Sequence, residues 1–258
     1  MQKQAYSLFA RYYDQYMAHV EYDSWVDFIL GRYTRRYKKS PERVLELACG
    51  TGNISSRLVR RGCNVDATDI SEAMLELARN KPFPANYEKG DMLEPITGDK
   101  YDLILLLFDS LNYLTKVEDV NIMLNNVSDS LSNKGLFIFD ISTIRNCQEN
   151  FDGFINIEDE ERGFVIHESE FDNAKLMHTN HITFFVPEEN HYQRYDEYHH
   201  QKIYQVETLV QFIKSSSLKL KGIYRLSEGE SIMIPSVDYT YADKLYDRVF
   251  FVLESDNA

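Results

Sequence analysis

The stretch VLELACGTGN, residues 44–53, decides the fold. It has the pattern of a short apolar strand, a turn with two glycines, and the first residue of a helix. Glycines let the backbone of such a turn approach a ligand closely, and the following helix offers free N–H groups. The stretch therefore predicts a strand–turn–helix unit with a ligand site at the end of the strand.

A carboxylate at the end of the next apolar run complements this turn. Asp69 is the last residue of that run, residues 65–69, and lies seventeen positions beyond Gly52. A glycine turn after one strand and a carboxylate at the tip of the next is the geometry that binds a nucleoside, because the carboxylate accepts hydrogen bonds from ribose hydroxyls. The sequence therefore predicts a nucleoside-containing ligand.

Two residues argue against a dinucleotide. The dinucleotide fingerprint G-x-G-x-x-G requires a third glycine where this chain has Ser55. Glu46, on the strand before the glycines, would repel a pyrophosphate but suits a cationic ligand. S-adenosylmethionine has a sulfonium, an amino group and no phosphate, and it meets this requirement.

The composition is that of an ordinary globular protein. The chain has 258 residues, 43% hydrophobic and 27% charged, enough for one well-packed domain with an insertion. The net charge of −13 disfavours nucleic-acid binding, because phosphate recognition needs a basic surface. The longest strictly apolar run, residues 103–108, is too short to span a bilayer. We therefore expect no nucleic-acid partner and no membrane association.

The N-terminal residues and the cysteines indicate the cellular compartment in which the protein is expected. Residues 1–6 lack the apolar core of a secretory signal, and Cys49, Cys63 and Cys147 are scattered without metal-ligand spacing. The expectation is a cytoplasmic protein with reduced thiols.

Strands and helices alternate through the first half of the chain, after two helices within residues 5–37. This alternation predicts a parallel, doubly wound sheet with right-handed crossovers. Strands are expected over residues 43–48, 63–69, 86–90, 101–108 and 136–141, with helices over 53–61, 71–79 and 117–131. After the insertion described next, a helix over 206–214 and strands over 218–224 and 246–254 return to the same pattern.

The pattern changes between residues 151 and 204. Three extended segments, 164–171, 176–186 and 192–204, are joined by turn-like residues and predict an inserted antiparallel β meander. We therefore divide the chain into an α/β domain, residues 1–150 and 205–258, and an insertion, residues 151–204. Ligands of open α/β sheets bind beyond the carboxyl ends of the strands, so the insertion is expected to roof the acceptor site. A homodimer contact through its exposed strand edge is the alternative.

Several motifs resemble those of class I S-adenosylmethionine-dependent methyltransferases. ELACGTG, residues 46–52, is similar to their glycine motif, and DLILLLFDSLNY, residues 102–113, to their fourth-strand motif. LSNKGLFIFD, residues 131–140, resembles their fifth strand, with Asn-Lys-Gly in place of the usual Pro-Gly-Gly. The resemblance implies a seven-stranded Rossmann-like methyltransferase sheet with S-adenosyl-L-methionine as cofactor.

The resemblance also implies which residues hold the cofactor. Asp91 would accept a bond from the adenine amino group, with the backbone amide of Met92 at a ring nitrogen, and Asp69 would bind the ribose. Leu107 and Phe108 would flank the methionyl portion together with Asp109. The full set expected to bind the cofactor is Tyr13, Glu46, Gly50, Gly52, Asp69, Ile70, Asp91, Met92, Leu107, Phe108 and Asp109.

The N-terminal sequence resembles one branch of this family. FARYYDQYM, residues 9–17, and YDSW, residues 22–25, are similar to small-molecule methyltransferases that include the nucleotide-sugar amine methyltransferases. In that branch the N-terminal helices form a lid, and a tyrosine of the Tyr-Asp pair, here Tyr13, reaches the cofactor. The implied activity is methyl transfer to nitrogen or oxygen of a small-molecule acceptor. Plain helix packing is the alternative role for Tyr6 and Tyr13.

Six of the seven histidines lie between residues 167 and 200. No metal is expected, because His178 and His181 are three apart and point to opposite faces of a strand. One or two of the six could face the pocket and accept a proton from the acceptor, as could Glu168 or Glu170. The sequence assigns no catalytic residue.

Two other functions fit parts of the pattern. A nicotinamide-dependent oxidoreductase uses a related sheet, but Ser55, Glu46 and the pair Asp91-Met92 argue against it. A non-catalytic binding module could keep the cofactor fold without turnover.

Overall fold

The computed structural model describes residues 2–3, 5–160, 163–227 and 229–255. The helices are α1 Ala10–Tyr16, α2 Tyr22–Tyr37, α3 Asn53–Arg60, α4 Glu72–Ala78, α5 Val117–Ser130, α6 Ile144–Asn146, α7 Val206–Lys214 and α8 Tyr239–Leu245. The strands are β1 Gln2–Lys3, β2 Arg43–Leu47, β3 Asn64–Asp69, β4 Asn86–Lys89, β5 Tyr101–Leu106, β6 Leu131–Ser142, β7 Ile155–Glu160, β8 Gly163–Asp172, β9 Met177–Glu188, β10 His191–Lys202, β11 Leu218–Ser227, β12 Glu230–Ile234 and β13 Arg248–Ser255. A 3₁₀ turn, Ser110–Tyr113, follows β5.

The large sheet has the strand order β12-β11-β13-β6-β5-β2-β3-β4. The strands from β6 to β4 pair in parallel, whereas β13, β11 and β12 add antiparallel strands at the other end. This arrangement confirms the predicted α/β class with a doubly wound sheet. Seven strands were expected, and the described residues form eight. The additional strand, β12, is short and half-exposed at the sheet edge, so its sequence carries little strand signal.

Helices cover both faces of the large sheet. On one face α2 and α3 bury Ile29, Tyr33 and Leu58 against the central strands. On the other face α5, α7 and α8 pack in a second core with Phe137 and Phe139 of β6. The run of buried leucines and isoleucine in β5 has apolar neighbours on both sides, as a central parallel strand requires. The carboxyl ends of β2 to β5 therefore come together at one edge of a rigid layer.

The second sheet is made mainly of the insertion, with the order β1-β10-β9-β8-β7. Its four long strands are antiparallel, which confirms an antiparallel β insertion. The expectation of three segments was wrong by one strand. The missed strand, β7, is an edge strand whose Ile155 and Ile157 are exposed, so its apolar residues mark no buried face.

The N-terminal segment joins the two sheets. Phe9 and Tyr12 pack in a small core with Val165, Ile182 and Phe184 of the second sheet. The Tyr12 and Phe184 rings stack with centroids 5.6 Å apart. The segment from Ala5 to α1 therefore packs on the second sheet. Within the residues described, no helix has the length and apolar content needed to cross a membrane.

Candidate active site

A cavity of about 330 Å³ opens at the carboxyl ends of β2 to β5. The groups that the strand ends contribute, here called the floor, are Glu46, Gly50, Asp69, Asp91 and Phe108. The residues that the N-terminal segment contributes, here called the roof, are Tyr6 and Tyr13. Tyr113, on the 3₁₀ turn after β5, lines the wall between them. Other lining residues include Tyr22, Thr51, Asn53, Ile70, Met74, Met92, Leu93, Ser110 and Asp119.

The two glycines of the turn after β2 serve different ends. Both have positive φ, +56° at Gly50 and +72° at Gly52, which a side chain adopts only under strain. A Cβ on Gly50 would meet no described protein atom within 4 Å, whereas a Cβ on Gly52 would collide with the Tyr87 hydroxyl and lie 3.1 Å from the Cβ of Ala78. Gly50 therefore leaves room at the cavity, and Gly52 lets the turn pack onto β4 and α4.

Asp69 ends β3 and holds the glycine turn in place. Its Oδ2 accepts a hydrogen bond of 2.8 Å from the Gly50 amide, and its Oδ1 one of 2.8 Å from the Ser71 amide. Burial raises the pKa of this carboxyl, and the hydrogen bonds from Ser71, Gly50 and Ile70 oppose the rise. Each carboxylate oxygen can accept more than one bond, so capacity toward the cavity remains.

Glu46 is a carboxyl in an apolar environment on β2. Its side chain is buried, and the Ser55 hydroxyl donates a hydrogen bond to its Oε2. Burial raises the pKa of Glu46 to about 8, with the bonds from Ser55 acting in the opposite direction. At pH 7 the free protein therefore holds Glu46 protonated, and a cationic group in the cavity would favour its ionisation.

Asp91 and Phe108 complete the floor. Asp91 follows β4, and its Oδ1 accepts a 2.9 Å bond from the Leu93 amide, which shapes the loop. Phe108 follows β5 with a φ of +56°. Its ring stacks on Trp25 of α2 with centroids 4.2 Å apart and planes at 3°. The stack gives the cavity a rigid aromatic wall.

The structure brings most of the predicted cofactor residues to one cavity. Three predicted residues do not line it among the residues described: Gly52, Leu107 and Asp109. The backbone turn at Gly52 faces Tyr87, and Leu107 is buried in the core with α2 and α3. The residues that do line it are Tyr13, Glu46, Gly50, Asp69, Ile70, Asp91, Met92 and Phe108.

Asp109 is turned toward a different set of partners. Its Oδ1 lies 2.6 Å from the Arg248 guanidinium of β13, and its Oδ2 accepts a 2.5 Å bond from Gln201 of β10. Arg248 also donates to the buried Asp140. Pairing with the partly buried Arg248 therefore holds the Asp109 carboxylate where the large and small sheets meet.

A polar latch that the motifs did not predict ties the roof to the glycine turn. Asp14 on α1 accepts bonds of 2.6 Å from the Thr51 hydroxyl and 2.8 Å from Asn53, and its other oxygen lies 2.6 Å from Lys81. Burial favours a raised pKa, but the bonds from Lys81, Thr51 and Asn53 hold the pKa of Asp14 below its usual value. A second tie is the Ser71 hydroxyl, which donates a 2.9 Å bond to the Tyr6 carbonyl. The sequence signal was the Tyr-Asp pair, of which only the tyrosine was assigned.

The predicted candidate bases are spread over the second sheet. His178 contacts Ser169 and Gln201, and His181 contacts Asp196 and Glu168. Glu170 is exposed. Within the described part of the chain, no group of three or more His, Cys, Asp or Glu is placed to hold a metal ion.

The cavity wall suits an adenosyl sulfonium better than a dinucleotide. Glu46, Asp69 and Asp91 line it, and no lysine or arginine does so among the residues described. Two phosphates would meet several carboxyl groups and no compensating cation, whereas a sulfonium and an ammonium would be attracted. The residues present therefore fit a cofactor with positive charge and ribose hydroxyls.

Comparisons with known proteins agree with this chemistry. The family model described as "Methyltransferase domain" matches residues 44–135. The chain is 33% identical over 223 residues to "Putative methyltransferase YqeM" of Bacillus subtilis (strain 168), covering 84% of this chain and 88% of that protein.

Solved structures extend the likeness over nearly the whole chain. An S-adenosylmethionine-dependent methyltransferase of Clostridium acetobutylicum ATCC 824 superposes with a TM-score of 0.79 at 26% identity, over 97% of this chain and 98% of that one. An amino pentose methyltransferase of Micromonospora echinaspora, solved with S-adenosylmethionine bound, has a TM-score of 0.70 at 17% identity over 95% and 96%. The latter likeness shows a shared fold.

Proposed function

This chain belongs to the S-adenosylmethionine-dependent methyltransferases, and from that premise we propose that it methylates a nitrogen or oxygen atom of a small molecule. The observation that carries the proposal is the roof. Tyr6 and Tyr13 lie over the strand ends, and Tyr113 stands beside them. Such a covered cavity of about 330 Å³ suits a small acceptor. The fold shared with an amino pentose methyltransferase supports the same class of acceptor.

The floor residues are proposed to hold the cofactor. Asp69 accepts the ribose hydroxyls with the capacity that its two backbone bonds leave. Asp91 and the Met92 amide hold adenine, and Glu46 faces the amino group of the methionyl part. Gly50 passes close to the ligand because it has no side chain at that point.

The chain's own contribution to the reaction is position and exclusion of water. The bound cofactor supplies an electrophilic methyl group on a positively charged sulfur. The Trp25–Phe108 stack and the roof tyrosines shield the cavity, and the hydroxyls of Tyr6 and Tyr113 orient an acceptor by hydrogen bonds. Holding the reacting atoms about 3 Å apart removes a large entropic part of the barrier.

The insertion is proposed to set acceptor specificity through the roof. Glu197 of β10 receives hydrogen bonds from Ser7 and from the amides of Leu8 and Phe9, so the second sheet positions the segment that carries Tyr6. Replacing the whole insertion would remove this support, and single substitutions in the sheet are the sharper test of the idea.

The proposal is tested by binding and turnover measured separately. Calorimetry with S-adenosylhomocysteine is expected to show binding, and incubation of S-adenosylmethionine with a panel of small amines and phenols is expected to give methylated product. Tight binding of a nicotinamide dinucleotide would favour the oxidoreductase alternative. Cofactor binding with no turnover across the panel would favour a binding module and count against the proposal.

A further inference from the structure

A chain of polar side chains leads from the cavity into the second sheet. The Tyr6 and Tyr113 hydroxyls are 2.6 Å apart, and the Tyr113 hydroxyl is 3.1 Å from Nδ1 of His199. Nε2 of His199 in turn lies 3.6 Å from Oε2 of Glu197. Tyr6 and Tyr113 line the cavity, whereas His199 and Glu197 are 3% and 0% exposed on β10.

Glu197, the last residue of this hydrogen-bonded network, is held by several further hydrogen bonds. Oε1 of Glu197 accepts bonds from the Ser7 hydroxyl at 2.8 Å, from the Leu8 amide, and from the Phe9 amide at 3.3 Å. Its Oε2 and the His199 Nε2 are both buried without a hydrogen-bond partner among the residues described. A buried polar atom left unpaired is costly, and these two atoms face each other. Their mutual pairing is the compensation that the structure offers.

The hydrogen-bond donors of this network can all point in the same direction, from the cavity toward Glu197. An ionised Glu197 only accepts, so it selects the tautomer of His199 with the hydrogen on Nε2. Nδ1 is then an acceptor for the Tyr113 hydroxyl, and the Tyr113 oxygen accepts from Tyr6. The Tyr6 oxygen keeps acceptor capacity at the cavity wall. Protons can therefore move from the cavity toward Glu197, one bond at a time.

The surroundings separate the roles along the chain. Burial raises the pKa of Tyr6 and of Tyr113, so neither phenol ionises by itself near neutral pH. Burial also acts to raise the pKa of Glu197, but the neighbouring His199 ring and the bonds from the Leu8 amide and Ser7 hold it below its usual value. The acceptor at the end of the tyrosine pair is therefore Nδ1 of His199, and an ionised carboxylate lies beside its Nε2.

We propose that Tyr6, Tyr113, His199 and Glu197 form a relay that removes the proton from the acceptor's nitrogen or oxygen during methyl transfer. As the acceptor atom bonds to the methyl carbon, the carbon–sulfur bond breaks and its electron pair stays on sulfur, which becomes neutral. The acceptor's proton passes to the Tyr6 oxygen, that of Tyr6 to Tyr113, and that of Tyr113 to Nδ1 of His199. The positive charge thus ends on an imidazolium beside Glu197. This inference rests on the proposed function.

The relay requires that Nδ1 of His199 has no hydrogen, because a nitrogen that already has one cannot accept a proton from Tyr113. The titratable groups that face His199 are Tyr6 from the roof, Tyr113 from the 3₁₀ turn, Glu197 from its own strand, and His167 from β8. The Phe9 ring, 5.9 Å away between centroids, adds no charge.

The first experiment needs no acceptor. In ¹⁵N NMR of histidine-labelled protein with S-adenosylhomocysteine, His199 should have its hydrogen on Nε2, and Tyr113→Phe should shift the Nδ1 resonance. Glu197→Gln should raise the population of the other tautomer. A wild-type His199 with its hydrogen on Nδ1 would overturn the relay, because that nitrogen would then donate to Tyr113.

The second experiment uses an acceptor that the amine and phenol panel identifies. His199→Gln and Tyr113→Phe should each lower kcat about 100-fold, with S-adenosylhomocysteine affinity within threefold of wild type. His178→Gln is the matched control, since His178 is equally buried in the same sheet but has Ser169 and Gln201 as partners. Unchanged kcat in both relay variants would refute the relay. Wild-type protein that methylates nothing in the panel would count against the proposed function alone, because the tautomer is read independently.

Discussion

The floor and the roof of the cavity are built in different ways. The floor comes from strand ends between Glu46 and Phe108, where the backbone of a rigid parallel sheet aims each group. The roof is held by side chains far apart in sequence, such as Ser7 on Glu197, 190 residues away. A ligand that touches the floor meets preset geometry, whereas one that touches the roof meets an assembly of long-range contacts. The cofactor end of the site should therefore tolerate substitutions in the second sheet, and the acceptor end should not.

The largest effect is expected at Gly50. Gly50→Val places a branched side chain in the cavity at a φ of +56°, so S-adenosylhomocysteine affinity should fall by more than about 100-fold. Calorimetry measures the loss, with circular dichroism as the test of folding. Gly62→Val is the matched control, since Gly62 also has a positive φ and open space but lies outside the cavity wall. Normal binding by Gly50→Val would mean that the glycine turn does not face the ligand.

The next effect separates floor from roof directly. Asp69→Ala should weaken S-adenosylhomocysteine binding by about 10- to 100-fold, the value of a lost charge-assisted bond. Ser7→Ala, which removes one roof contact to Glu197, should change that affinity less than about threefold. Calorimetry on both variants tests this difference. Equal losses of S-adenosylhomocysteine affinity would show that the floor and the roof contribute alike to cofactor binding.

A pH effect of about tenfold is expected from Glu46. Its pKa of about 8 in the free protein means that a cationic ligand must displace a proton below that pH. Affinity for S-adenosylhomocysteine should therefore rise about fivefold between pH 7 and pH 8 and about twofold more before it levels off at higher pH. Glu46→Gln should remove this rise. Calorimetry in buffers of different ionisation enthalpy would show proton release for wild type only, and a flat wild-type profile would contradict the assignment.

The same carboxyl predicts a trend in stability. The folded-state pKa of Glu46 lies above its ordinary value of 4.5, so the folded state binds the proton more tightly than the unfolded chain. The resulting stabilisation is complete at low pH and is lost as the pH rises through about 8. Urea unfolding at pH 6 and pH 9 measures the free energy of unfolding of both proteins. The value for Glu46→Gln should increase relative to that of wild type at the higher pH. A constant difference would show that Glu46 does not titrate there.

The smallest effect is expected at the latch. Asp14→Asn weakens the tie to Lys81, and because Asp14 is partly exposed the loss should be about 1 kcal/mol or less. S-adenosylhomocysteine should dissociate roughly three- to fivefold faster, as stopped-flow kinetics would show. Asp23→Asn, which removes an exposed ion pair between Asp23 on α2 and Arg60 on α3, is the control. A loss of S-adenosylhomocysteine affinity as large as that of Asp69→Ala would show that Asp14 supports ligand binding as strongly as the floor residues do.

The division between floor and roof also explains what the sequence could predict. Gly50, Asp69 and Asp91 are local signals, each at a strand end, and the parallel sheet brings them together without further information. The ion pair of Asp109 with Arg248 could not be predicted, because the two residues are 139 positions apart. The pairing of Tyr113 with His199 spans 86 residues, and no periodicity or motif encodes it. Edge strands such as β7 were missed for a related reason, since exposure on one side removes the apolar pattern.

The stack of Trp25 on Phe108 gives this protein an intrinsic optical probe. Trp25 is the only tryptophan in the chain, and its ring partner forms part of the cavity wall. The guanidinium of Arg248 lies 5.6 Å from the indole centroid, so the ring senses both an aromatic surface and a nearby charge. Emission excited at the indole band therefore comes from one site beside the ligand. Acceptor candidates can be screened by fluorescence on unlabelled protein, with Phe108→Leu as the variant in which the signal should no longer follow occupancy.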